Sequence, residues 1–178
     1  DTPTILDIPQ ITLNKTSSSL IDIGPDANAP ANADRRTFLV EFAYEIINTG
    51  AFTLTDIALQ DDFMAQNPTV VVRQVGQAST VAFNHSVHGG VTADFAAGTA
   101  GFLETLAAVP VGTATQGADS LEVGESITLS VRASFVIDLA ALAALPGNGL
   151  IENQGRVTSY SDKDGDGIPD WQDPTPVE

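Results

Sequence analysis

Hydrophobic and polar positions alternate with a period of two along much of this chain. Phe38, Val40, Phe42, Tyr44 and Ile46 alternate with Leu39, Glu41, Ala43, Glu45 and Ile47, which predicts a strand with an aromatic-rich inner face and a mixed outer one. Asn48-Thr49-Gly50 supplies the turn that ends it. In the run 52–59, Leu54, Ile57 and Leu59 change parity, which predicts a bulge near Thr55 and Asp56. A second long strand is predicted where Ile127, Leu129, Val131, Ala133, Phe135 and Ile137 alternate with Thr128, Ser130, Arg132 and Ser134. The segment before it, Leu121-Glu122-Val123-Gly124-Glu125-Ser126, reads as a turn whose Gly124 adopts positive φ at little cost. Weaker strands are predicted at 11–15, 69–74, 80–84 and 155–159.

One stretch departs from this pattern. Asp138 is placed to cap a short helix over 139–145, stopped by Pro146 and Gly147. Segments 24–34 and 87–99 are rich in Gly, Ala, Pro and Asn and read as loops, the second too Gly- and Ala-rich to suit a strand. Several short strands joined by polar turns, with little helical pattern, predict an all-β sandwich with extended loops and a short helix. The expected organisation is an N-terminal extension or first strand at 1–10, a sandwich over 11–160 and an acidic tail at 161–178.

Composition narrows the function classes. With 178 residues, 43% of them hydrophobic, the chain can close one sizeable core, and with aromatics at 6% that core should be mainly aliphatic. The formal net charge of -16, with a pI near 4.1, makes nucleic acid and anionic membrane surfaces poor partners and cations good ones. No cysteine is present, which excludes disulfides and thiolate metal sites. No apolar run approaches the roughly 18 residues of a membrane span. A start at Asp1 rather than Met fits a mature secreted product, or equally a trimmed chain.

Three motifs, in order along 38–160, carry a family resemblance. Tyr44-Glu45-Ile46-Ile47-Asn48-Thr49-Gly50 is followed by Phe52-Thr53-Leu54-Thr55-Asp56-Ile57 and the acidic Asp61-Asp62-Phe63. Then come Leu121-Glu122-Val123-Gly124-Glu125 and Glu152-Asn153-Gln154-Gly155-Arg156-Val157-Thr158. Together they resemble the conserved repeat domain of unknown function found in tandem in many prokaryotic surface proteins, with Gly155 where that family usually has Ala. The resemblance implies an immunoglobulin-like β-sandwich used as a spacer, adhesin stalk or surface-layer unit. It brings no catalytic residues. A single copy here, rather than an array, fits a stand-alone subunit or one domain of a larger protein.

The tail carries the clearest chemistry. In Asp162-Lys163-Asp164-Gly165-Asp166-Gly167-Ile168-Pro169-Asp170-Trp171-Gln172-Asp173, the acids fall at calcium-loop spacing. Asp162, Asp164 and Asp166 take positions 1, 3 and 5, Gly167 makes the sharp turn, the Ile168 carbonyl serves at 7, Asp170 at 9 and Asp173 at 12. The segment is similar to thrombospondin type three and dockerin-like loops. Five carboxylates so close together repel unless a divalent ion neutralises them, and an all-oxygen set selects calcium. A solvated acidic linker is the competing reading. Trp171 is expected to pin the loop onto the sandwich, with sugar stacking as the alternative. His85-Ser86-Val87-His88 reads as a polar loop, with no strand or helix to fix a metal geometry. The sequence offers no Ser, His and Asp set or carboxylate pair recognisable as catalytic, so a non-enzymatic protein is expected.

These observations point to a secreted, cell-surface structural protein, a calcium-stabilised subunit that self-assembles into a fibre, tube, layer or matrix. Ile5, Leu6, Ile8, Ile11 and Leu13 could add a strand to a neighbour's sheet, or form the first strand of their own sandwich. The alternatives are a calcium-dependent adhesin or carbohydrate-binding module, and a spacer domain of a larger surface protein.

Overall fold

The computed structural model describes residues 10–31, 33–87, 89–91, 96–97, 120–149 and 151–162. Its strands are β1 (Ile11–Ser17), β2 (Ile21–Pro25), β3 (Arg35–Asn48), β4 (Thr53–Asp61), β5 (Val71–His85), β6 (Gly89–Val91), β7 (Ala96–Ala97), β8 (Ser126–Asp138) and β9 (Gly155–Asp162). Three short helical turns, α1 (Phe63–Gln66), α2 (Leu139–Ala143) and α3 (Pro146–Gly149), lie between them. The fold is all-β, with two antiparallel sheets. The larger runs β1-β3-β8-β5-β6, with β2 also on β3 and β7 on β5, and the smaller consists of β4 and β9.

Both long predicted strands form with the predicted faces. β3 and β8 pair antiparallel in unbroken register from Arg35 opposite Asp138 to Ile47 opposite Ser126. Val40, Phe42, Tyr44 and Ile46 of β3 and Ile127, Leu129, Val131, Ala133 and Phe135 of β8 are buried together. Leu54, Ile57 and Leu59 of β4 close the core from the other sheet. Their change of parity is a bulge: Thr55 lies opposite Tyr160, but Ala58 lies opposite Thr158, so β4 carries one residue more than β9 there. Helix α1 sets Phe63 between the sheets, its ring 5.8 Å from that of Phe42 and edge-on to Phe135 at 4.8 Å. Aromatic pairs of this kind each contribute about 0.5–1.5 kcal/mol beyond the area they bury.

The short helix also forms where its cap predicts. Asp138 accepts a hydrogen bond from the Ala141 N–H at 3.0 Å and opens α2, which ends at Ala143 rather than 145, and Pro146 opens the helical turn α3 instead of only stopping α2. The turn at Gly124 has φ +84°, with the Glu125 N–H bonded to the Glu122 carbonyl, as a type II turn requires.

Two expectations are corrected. The runs at 69–74 and 80–84 belong to one strand, β5, whose register against β8 slips between Val75 and Ser79. Gly76, at φ +70°, lies in that slip. A glycine-centred irregularity within one strand looks in the sequence like a break between two. Segment 87–99 likewise contains strands, because β6 and β7 pair with β5 and find backbone partners without needing bulky side chains.

Candidate functional site

The acidic tail begins inside the fold. Asp162 is the last residue of β9, opposite Thr53, and is 1% exposed. Its position on a strand end fixes the first acid of the motif. Asp164, Asp166, Ile168, Asp170, Asp173 and Trp171 lie outside the described residues.

His85 is a strand residue rather than part of a loop. It closes β5, opposite Ile127 and Gly89, and is fully buried. Its Nδ1 accepts from the Val87 N–H at 3.2 Å, and its Nε2 lies 3.2 Å from the Ser120 carbonyl. With Nδ1 accepting, the proton sits on Nε2, and both ring nitrogens are engaged within the protein. His88 lies outside the described residues.

A groove of about 660 Å³ lies beside β1. Leu13, Leu20, Val40, Phe42 and Phe63 line it, and Gly149, Ile151, Asn153, Gln154 and Gly155 form the rest of its wall. That wall is stapled to α1. The Gln66 side chain donates to the Gln154 carbonyl at 2.8 Å and accepts from the Gln154 N–H at 2.7 Å, as a neighbouring strand would. Asn67 Nδ2 donates to the Glu152 carbonyl at 2.8 Å.

A buried polar cluster adjoins this groove. Asp61, the last residue of β4, has a fully buried side chain. Its Oδ2 receives the Lys15 ammonium, the Tyr44 hydroxyl at 2.5 Å and Asn153 Nδ2 at 3.4 Å. Lys15 Nζ also sits 4.9 Å from the centre of the Phe42 ring and 5.6 Å from that of Tyr44. Burial pushes the Lys15 pKa down, against the opposing pull of Asp61. Burial, then the Asp61 charge, pushes the Tyr44 hydroxyl well above its usual value, so it acts here as a donor only. Asp61 Oδ1 and Asn153 Oδ1 are buried with no hydrogen-bond partner among the described residues.

Gly155 makes room for this arrangement. A Cβ there would lie 3.3 Å from Leu13 Cδ2, 3.3 Å from Tyr44 Cε1 and 3.6 Å from Lys15 Cδ. Glycine lets β1 close on the start of β9 and brings Lys15 towards Asn153.

Comparison with family models, with characterised proteins and with solved structures finds no match. The site is therefore read from its own residues. Asp61 and Asn153 fall within the resemblance motifs, but Lys15 had only the end of a weak strand to mark it. The available signal was parity: Lys15 continues the inward series Ile11 and Leu13, and a lysine on an inward position needs a buried partner.

Proposed function

We propose that this chain is a structural module of an extracellular or cell-surface assembly, built on an immunoglobulin-like sandwich and stabilised by calcium at its acidic tail. The role is mechanical and associative, without turnover. The observation that carries the reading is the placement of Asp162, a buried acid at the end of a core strand, from which the calcium-spaced series Asp164, Asp166, Ile168, Asp170 and Asp173 follows directly. A loop whose first ligand is fixed loses less freedom when it closes on an ion. The motif resemblance across 38–160 supports the surface-protein class.

Self-association draws support from the N-terminal segment, where Ile5, Leu6 and Ile8 supply the apolar side chains with which an extended strand adds to a neighbour's sheet.

The test is negative-stain imaging and light scattering of the purified protein in millimolar calcium and again after chelation. Ordered polymers that dissolve on chelation are expected. Monodisperse single particles under both conditions would overturn the assembly reading and favour a monomeric adhesin or spacer.

A further inference from the structure

We infer that Lys15 and Asn153 are joined by an intramolecular amide bond, from Lys15 Nζ to Asn153 Cγ, with Asp61 as the acid–base group that forms it. The bond would tie β1, the first described strand, to the segment that leads into β9, the last.

The geometry places the three roles on three residues. One oxygen, Asp61 Oδ2, is bonded both to the Lys15 amine and to the Asn153 amide nitrogen. A proton shuttle between a nucleophile and a leaving group needs contact with both, and among the described residues Asp61 has it. Asn153 is thereby the electrophile. The surroundings are aromatic, with Phe42 and Tyr44 against the amine and Asp61 fully buried. Burial there favours the neutral amine, the nucleophilic form, and the depressed Lys15 pKa points the same way. Asp61 Oδ1 and Asn153 Oδ1, both bare, are the atoms that a protonated carboxyl and a polarised carbonyl would use.

The reaction balances without a co-reactant. Asp61 takes a proton from the Lys15 ammonium, leaving a lone pair on Nζ. That pair forms the new bond to Asn153 Cγ while the carbonyl electrons move onto Oδ1, held by the Asp61 carboxyl proton. The Asp61 carboxyl passes its proton to Nδ2, the carbonyl re-forms and the Cγ–Nδ2 bond breaks, while Asp61 takes the second proton from Nζ and passes it to the departing ammonia, which leaves as ammonium. An alkylammonium and a carboxamide become a secondary amide and ammonium, and Asp61 ends as it began. Holding both groups on one carboxylate oxygen replaces the enzyme or activated ester that such a condensation needs in solution.

This inference stands apart from the assembly reading, because it concerns one folded chain. The test is the mass of the full-length protein under denaturing conditions, followed by peptide mapping. The expected mass is below the sequence mass by one ammonia, about 17 Da, with a branched peptide joining Lys15 to Asn153. An unmodified mass would overturn the proposal, as would loss of one water, about 18 Da, with the branch at Asp61. Asp61→Asn and Asn153→Ala, checked for folding by circular dichroism, are each expected at their own sequence mass. An ammonia loss that persisted in Asp61→Asn would remove Asp61 from the mechanism. The wild-type mass decides the bond itself even if a variant does not fold.

Discussion

Asn48 donates a hydrogen bond from its side-chain amide to the carbonyl of Leu121, 2.9 Å away and 73 residues later in the chain. The same amide group donates to the Phe52 carbonyl at 2.8 Å, while Oδ1 accepts from the Gly50 N–H at 3.0 Å. Its backbone N–H and carbonyl bond to Glu125 and Gly124. Asn48 therefore joins the end of β3, the turn into β4 and the Gly124 turn through one fully buried side chain. Asn48→Ala would remove three hydrogen bonds, but the Leu121 carbonyl keeps the Leu54 N–H at 2.9 Å and the other two groups are only part-buried, so a loss of about 1–3 kcal/mol is expected in urea unfolding. Asn48→Asp should be worse, because a carboxylate cannot donate to either carbonyl.

The crosslink inferred between Lys15 and Asn153 gives a thermal prediction. It would close a loop of roughly 140 residues, which on chain-entropy grounds stabilises the fold by about 5 kcal/mol. For a domain of this size that is a shift in Tm of about 10–20 °C. Asn153→Ala should show this loss in calorimetry while keeping the Lys15–Asp61 pair. A Tm within a few degrees of wild type would mean that Asn153 carries no covalent load.

How much of this could be read beforehand depended on range. β3 and β8 were legible because an inner face of consecutive apolar positions declares itself locally, and the β4 bulge was legible because Leu54, Ile57 and Leu59 cannot share a face without one. The unbroken course of β5 was hidden, since Gly76 marks a slip and a chain break alike. Asn48 read only as a turn residue because its partner Leu121 arrives through tertiary packing. The Lys15, Asp61 and Asn153 cluster needed three distant segments to meet, and no single motif contains it.

Acid should loosen α2 before the core. The Asp138 carboxyl is held below its usual pKa, first by the bond it accepts from the Ala141 N–H and then by Arg35. A depressed folded-state value means that this contribution is fully present above the unfolded carboxylate pKa. It is lost as the pH falls through about 3.8 towards the lower folded value. Protection of the Ala141 amide against exchange, taken relative to its intrinsic rate, should therefore fall between about pH 4 and pH 2. Asp138→Asn, which keeps a capping oxygen without the charge, should flatten that dependence.

Gly155→Ala tests whether closure of β1 on β9 is as tight as the contacts imply. The added methyl would meet Leu13 Cδ2 and Tyr44 Cε1, each at 3.3 Å. Leucine has a flexible end and can give a few tenths of an ångström. Tyr44 is less free, because its hydroxyl is bound to Asp61 at 2.5 Å and its ring lies in the core. Overpacking costs typically 1–3 kcal/mol, and the reduced freedom of the unfolded chain returns about 0.4–1 kcal/mol, so a net loss of about 1 kcal/mol is expected in urea unfolding. The same displacement moves Tyr44 and the Lys15 stem away from Asp61 and Asn153. Crosslinking, followed by the mass of newly synthesised chain over time in cell-free translation, should then be slower in Gly155→Ala than in wild type, while Val157→Ala, two residues further along the strand, should lose stability with little change in that rate. Equal slowing in both variants would mean that the rate follows general stability rather than the approach of β1 to Asn153.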